Sequence, residues 1–479
     1  MAELNAPTLT VQEVQLFEWP YVLRLPFRFG VITVTHGRQA VARVRIRLEN
    51  GREEWGFAAE ALAAKWFDKN PALSDADNHA HLRAALGLAS EQYRASTPRT
   101  AFAMFADHYD AQIAEGGRRG LAPLVASYGP AMLDRAIADA LCRVMNVSFY
   151  DAARRNLFGI GPHGIAPDLS GFAFDPYLES LSPGNRIHIR HTVGLVDPIT
   201  SADQTDETRV DDGLPETLEE VVATYGHRYY KLKVGGDMTA DVARLSAIAG
   251  VLDRQKHKYF VSLDGNEQYA DAAGVLALWE AMKAEPALAR LVDSILYIEQ
   301  PIKRQAALSA PIGALGDARA VIIDESDGEV GTFLTAKDLG YRGISSKNCK
   351  GFYKSLLNLA RCRVWNSTEG EGRYFMSAED LTTQAGVSVQ QDLALVNLLG
   401  LGHVERNGHH FIDGFAGRPD SEADAFLRAH PDLYHRQNDR VRMRIKDGEA
   451  AIASLACPGF AIGAMPVVEG MEEMVGAAG

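Results

Sequence analysis

Five short apolar runs between Tyr229 and Lys347 each stop on a charged residue, and they recur at nearly even intervals. They are Tyr229-Tyr230-Lys231-Leu232-Lys233, Tyr259-Phe260-Val261-Ser262-Leu263-Asp264-Gly265-Asn266, Ile295-Leu296-Tyr297-Ile298-Glu299-Gln300-Pro301, Val321-Ile322-Ile323-Asp324-Glu325-Ser326 and Gly343-Ile344-Ser345-Ser346-Lys347. Lys233, Asp264, Glu299, Asp324 and Lys347 are separated in turn by 31, 35, 25 and 23 residues. Such an interval holds one strand, one helix and two short loops, the repeat of a (β/α)8 barrel. In that architecture functional groups gather at strand C-termini, where these five residues stand.

The rest of the chain is compatible with this α/β reading. With 479 residues, 47% of them hydrophobic, it can bury a large core and suggests two or three domains. A net charge of −13 argues against a nucleic-acid or anionic-membrane partner and leaves a small molecule as the expected ligand. Met1 to Pro20 has neither the basic segment nor the apolar core of a signal peptide, and no apolar run matches a membrane span, so we expect a cytoplasmic protein. Cys142, Cys349, Cys362 and Cys457 are scattered without CxxC spacing and are read as free thiols.

Residues 1–158 read as an α+β domain with a helical extension. Val41 to Leu48 alternates apolar and basic residues ahead of an Asn50-Gly51 turn, and Ala131 to Asn156 has helical apolar spacing. Residues 159–186, rich in Gly, Pro and Ser, read as a connection. The barrel is assigned to 187–418, with Ile187–Val196, Tyr374–Ser377 and the region of His403–Glu405 supplying its remaining strands. Residues 419–479 leave the barrel rhythm and are expected to pack back on the N-terminal domain.

Alternation along Tyr229–Val234 puts Lys231 and Lys233 on one face, where each ammonium should depress the proton affinity of the other and make a usable base. Taken alone, Lys-x-Lys also fits an exposed strand. Asp264, Glu299 and Asp324 at successive strand ends would repel unless a cation lay among them. An all-oxygen set points to a hard ion, Mg2+ before Mn2+ or calcium. Asn266 shares a face with Asp264 and is expected to hydrogen-bond a ligand or the substrate. Glu325 competes with Asp324 as the ligand, and parity favours Asp324. Lys347 should stand across the barrel mouth from Lys231 and Lys233, whereas Lys350 and Lys354 are expected to lie past the mouth, in solvent.

Taken together, Lys231-Leu232-Lys233, Asp264-Gly265-Asn266, Glu299-Gln300-Pro301, Asp324-Glu325-Ser326, Lys347 and the helix Arg135 to Leu141 resemble the enolase superfamily. The similarity lies with its mandelate racemase/muconate lactonizing enzyme group, nearest the muconate-lactonizing and dipeptide-epimerase-like members, and covers about residues 10 to 415. The resemblance implies a TIM-type barrel under an N-terminal α+β capping domain completed by the C-terminal tail, with Pro26 to Phe29 and Glu60 to Phe67 closing over the site. It also implies an Mg2+-dependent removal of the proton α to a carboxylate by Lys233 or Lys347, with Lys231 tuning Lys233 and the enolate held by the metal. Lysines on both sides favour a racemase or epimerase of a small carboxylic acid. An acid-sugar dehydratase or a cycloisomerase is the alternative, and a non-catalytic carboxylate-binding barrel the reading from another class. Glu379 and His409 fall where the resemblance implies substrate contacts, and a homo-oligomer is expected on the same ground.

Overall fold

The computed structural model describes residues 6–474. Three long antiparallel strands open the chain: β1 (Leu9–Phe29), β2 (Ile32–Leu48) and β3 (Glu53–Ala61). Gly30 and Gly51 turn the chain between them with φ of +53° and +82°, conformations that cost glycine little. The helix Tyr128–Met145 lies against this sheet. A Cβ on Gly56 would sit 2.1 Å from Ala136 O, so only glycine permits this approach of strand and helix. Asp139, fully buried, accepts from Phe57 N–H (2.9 Å) and Phe460 N–H (2.6 Å) and so ties sheet, helix and C-terminal tail together.

The helical stretch divides into Asp75–Arg94, Ala101–Arg118, Tyr128–Met145 and Phe149–Arg154. Ser74 and Asp77 form a capping box at the first of these, and Thr100 caps the second. Eight strands then follow: β4 (Arg186–Val193), β5 (Tyr229–Lys233), β6 (Phe260–Asp264), β7 (Ile295–Glu299), β8 (Val321–Ile323), β9 (Gly343–Ser346), β10 (Phe375–Ala378) and β11 (His403–Glu405). They are parallel and pair in the order β10-β9-β8-β7-β6-β5-β4-β11. At the two ends of that order, Asp380 N–H just after β10 donates to the Glu405 carboxylate of β11 at 3.0 Å, joining the strands through a side chain. Residues 365–369 continue the helix Phe352–Glu369.

The tail is divided. A hairpin of β12 (Tyr434–Gln437) and β13 (Arg440–Met443) leads to β14 (Glu449–Ala451), which adds antiparallel to β4 of the barrel, and β15 (Glu472–Glu473) extends the N-terminal sheet beside β1. Among the described residues no helix is long and apolar enough to cross a membrane.

Candidate active site

Register places the C-terminal residues of the barrel strands near one level: Lys233 pairs with Asp264, Asp264 with Glu299, and Glu299 with Ile322, two residues before Asp324. The bends that follow are strained. Asn266, Glu267 and Gln300 hold φ of +39°, +70° and +32°, and a Cβ on Gly265 would lie 2.5 Å from Pro301 Cα. Gln300 uses its distorted position to bind both flanks. Its Oε1 accepts from the N–H groups of Asp324 (2.8 Å) and Ser326 (3.0 Å), and its Nε2 donates to Ser326 Oγ and Ile302 O. This fixes the end of β8, so the Glu-Gln-Pro sequence orients Asp324 as well as presenting Glu299.

Lys231 and Lys233 share the barrel interior, as parity requires. Lys231 Nζ reaches Asp264 (2.9 Å), Glu299 (2.9 Å), Glu379 (2.7 Å) and Glu405 (3.1 Å). Lys233 Nζ reaches Asp264 at 2.5 Å. Across the mouth, Lys347 Nζ lies 2.7 Å from Asp324 and 4.1 Å from the centre of the Trp66 ring. All of these polar side chains are buried. Lys231, Lys233 and Lys347 line one cavity of about 610 Å³ with Asp264, Asn266 and Glu405, and its outer wall comes from the N-terminal domain: Tyr21, Phe27, Phe29, Leu62 and Trp66. Phe27 and Phe29 reach it from strand β1 rather than from a loop. Lys69 bonds Glu267 and Glu325, and Arg304 bonds Glu267 and the carbonyls of Trp66 and Phe67, which fastens this wall to the barrel rim.

The electrostatics correct one expectation. Burial alone would lower Lys231's proton affinity, but its four carboxylates outweigh burial and hold it charged well above the usual lysine range. Carboxylates, and not repulsion from Lys233, govern it. For Lys347 too, burial is outweighed by Asp324 and the pKa is raised. Lys347, Lys350 and Lys231 overcome burial to hold Asp324 far below the usual range, and Lys231 and Lys233 lower Asp264. Glu299 goes the other way, pushed well up by burial and by the charges of Asp264 and Glu379. Its Oε2 lies 2.9 Å from Lys231 Nζ without a hydrogen bond of good geometry, and Asn266 Oδ1 has no hydrogen-bond partner.

Asp264 and Asp324 are thus drawn to ammonium groups on opposite walls rather than to one another. Asp264, Glu299 and Asp324 do not bring one oxygen apiece within 4.8 Å of the others. The residues nonetheless fit a hard divalent cation: the donor set is all oxygen, and the middle carboxylate, Glu299, is buried with its proton affinity raised by burial and by its negative neighbours, both of which a cation there would offset. Glu325 turns aside from Asp324, accepting from Asn266 Nδ2 (3.1 Å) and Lys69 (3.4 Å).

Three further placements differ from the sequence reading. Lys350 and Lys354, expected in solvent, are buried: Lys350 bonds Asp324 (3.2 Å) and Asp327 (3.1 Å), and Lys354 bonds Asp327 (3.1 Å). The short turn after β9 carries Lys350, and the first turn of the helix Phe352–Glu369 carries Lys354, inward against the end of β8. His409 does not line the cavity but packs with His191 and His227 behind β4 and β5. Glu379, by contrast, enters the barrel centre, held by Arg190 and Lys231. Glu405 and Arg190 escaped the sequence reading as site residues. Their signal was present in strand ends and parity, since Glu405 closes β11 and Arg190 alternates with Thr192, which donates to Glu405 at 2.5 Å.

No protein-family model matches the sequence, and no curated protein sequence does. Solved structures do match. A muconate lactonizing enzyme from Pseudomonas fluorescens complexed with muconolactone superposes with a TM-score of 0.57 at 14% identity, covering 96% of this chain and 97% of its own. A dipeptide epimerase from Enterococcus faecalis complexed with Mg and the dipeptide L-Leu-L-Tyr gives 0.54 at 15% identity over 92% and 99% of the two chains. An enolase superfamily member from Roseovarius nubinhibens complexed with magnesium gives 0.56 at 15% identity over 97% of each. The chain therefore shares its fold, an α+β capping domain on a TIM-type barrel, with solved members of the enolase superfamily.

Proposed function

We propose that this protein is an enzyme that removes the proton α to the carboxylate of a small carboxylic acid, with Mg2+ held by Asp264, Glu299 and Asp324. The observation that carries the proposal is that Lys233 and Lys347 line a single cavity from opposite walls, each paired with a different one of those carboxylates. A substrate carbon between them has a proton donor or acceptor on either face. When bound, Mg2+ would supply a Lewis acid for the substrate carboxylate and stabilise negative charge developing there.

The chain's own residues do the rest. Lys347, held as an ammonium by Asp324, is the resting proton donor on its wall. Lys233 sits on the other wall, and Lys231 neutralises the excess of buried carboxylate behind it. Tyr21, Phe27, Phe29 and Trp66 exclude water and favour an apolar substrate body. Lysines on both walls support a racemase or epimerase. A dehydratase or cycloisomerase remains as a second reading, in which one lysine acts as base and the other as acid. The structural neighbours bound to muconolactone and to a dipeptide support a small carboxylate as the substrate.

The test is hydrogen–deuterium exchange at the α carbon of a panel of carboxylic acids in heavy water, with and without Mg2+. Exchange of at least one acid that depends on Mg2+ supports the reading, and a carboxylate-binding barrel without catalysis would exchange none. Replacing Lys233 and Lys347 singly by Ala should each abolish exchange from one enantiomer. Equal loss from both enantiomers in both variants would overturn the two-base assignment.

A further inference from the structure

Behind the barrel wall, on the side away from the cavity, three imidazoles from distant segments meet. His191 points outward from β4, His227 precedes β5, and His409 lies on the short helix Gly408–Phe411 after β11. One ring nitrogen from each lies within 4.8 Å of the other two, and among the described residues this is the set of histidine, cysteine and acidic ligand atoms that reaches such spacing. We propose that His191, His227 and His409 form a second metal site, for one borderline-soft divalent ion of the Zn2+ class, distinct from the carboxylate site and playing a structural part in clamping β4, β5 and β11.

Geometry supports this in three ways. First, His227 Nδ1 is engaged with Ile189 O at 2.9 Å, which makes Nδ1 the protonated nitrogen and leaves the Nε2 lone pair free. That Nε2 is buried with no hydrogen-bond partner. An orphaned buried polar atom is costly, and a stack of neutral imidazoles would leave it unsatisfied. Second, His191 Nδ1 and His409 Nε2 stand 3.4 Å apart, long for a good hydrogen bond but matching the edge of ~3.4 Å of a tetrahedron with Zn–N bonds of ~2.1 Å. Third, the backbone is built to seat His409: a Cβ on Gly408 would lie 2.3 Å from Thr383 O, so glycine alone lets this turn approach.

The surroundings select the ion. Burial lowers the proton affinity of all three imidazoles, to about 4 for His227, so they stand neutral and able to ligate. No carboxylate is among them, which disfavours Mg2+ and calcium. Arg24 and Arg406 lie near His409, but each is already neutralised, Arg24 by Asp212 and Arg406 by Asp380 and Asp392. His409 also lines a cavity of about 160 Å³ with Thr224, Tyr225 and His435, from which water would complete a tetrahedron.

The full-length protein is stripped with chelator, saturated with Mg2+ to occupy the carboxylate site, and titrated with Zn2+ and with Co2+. Zinc content per chain and the visible d–d absorption of Co2+ are read, neither of which depends on activity. The expected result is one tightly held equivalent and a tetrahedral Co2+ spectrum. Affinity should fall at least tenfold in His227→Ala and in the size-conserving His409→Gln, and be unchanged in His163→Ala, a half-exposed histidine elsewhere. Absence of a tetrahedral Co2+ spectrum in the wild-type protein overturns the site whether or not the variants fold. So does an equivalent that persists undiminished in His227→Ala, which would assign the metal to surface histidines.

Discussion

Lys231→Met removes one charge from the centre of the barrel while keeping the length and apolar stem of the side chain. Four carboxylates at 2.7 to 3.1 Å then lose a shared counter-ion. Asp264 keeps Lys233, Glu379 keeps Arg190, and Glu405 keeps Thr192 and Asn407 Nδ2 (2.9 Å), but Glu299 keeps nothing. Each lost contact represents a gross attraction of about 5–6 kcal/mol at an effective dielectric near 20. Most of that is offset by the dehydration of the ammonium, so breaking such a buried network from one side costs about 3–5 kcal/mol. The cost must depend on pH. Without Lys231 the carboxylates bind protons more readily in the folded chain than in the unfolded one, so the variant's deficit shrinks toward pH 5 and grows above neutrality. Urea unfolding of metal-free wild-type and variant protein at pH 5, 6.5 and 8 measures this. A deficit below about 1 kcal/mol, or one that does not grow with pH, would refute the reasoning that Lys231 is the counter-ion of this cluster.

Two other outcomes follow from particular contacts. His430 accepts from Gly463 N–H through Nε2 (2.9 Å), and burial lowers its pKa from 6.5 to about 4. The folded chain refuses a proton that the unfolded chain takes up, so stability is complete above pH 6.5 and falls by up to about 3 kcal/mol as the pH approaches 4. In His430→Gln that part of the slope should vanish, and parallel pH profiles of unfolding for wild type and variant would contradict it. Gly265→Ala places a Cβ 2.5 Å from Pro301 Cα, at a bend that carries Asp264 on one side and meets Glu299's strand on the other. A loss of about 1–3 kcal/mol is expected from urea unfolding, together with a loss of α-proton exchange, and an unperturbed variant would show that the two strand ends can part freely.

Much of the barrel was legible because a parallel strand buried on both faces is written as an unbroken apolar run, and a charge that ends such a run has few places to go but the rim. Tyr259 to Asp264 and Ile295 to Glu299 read this way almost to the residue, with strands at Phe260–Asp264 and Ile295–Glu299. Parity likewise separated Lys231 and Lys233 from Leu232, and the turn at Asn50-Gly51 joins β2 to β3 as its residues suggest. What sequence could not reveal was long-range company. Lys350 and Lys354 look like solvated turn residues until Asp327, two dozen positions earlier, is folded against them. The pairing of β14 with β4 depends on where a tail of irregular composition comes to rest. His191, His227 and His409 have no common spacing, and only the pairing of β11 with β4 and of β4 with β5 brings them together. The raised proton affinity of Lys231 is of the same kind, because two of its four partners, Glu379 and Glu405, stand at the ends of β10 and β11, far along the chain from it.

The most direct trial of the account is divalent-cation binding at the barrel mouth, measured by Mn2+ electron paramagnetic resonance with Mg2+ competition, in the wild-type protein and in Glu299→Gln. One equivalent displaced by Mg2+ and weakened at least tenfold in Glu299→Gln is the predicted result. A wild-type chain that takes up no such ion, or one whose affinity is indifferent to Glu299, would contradict it.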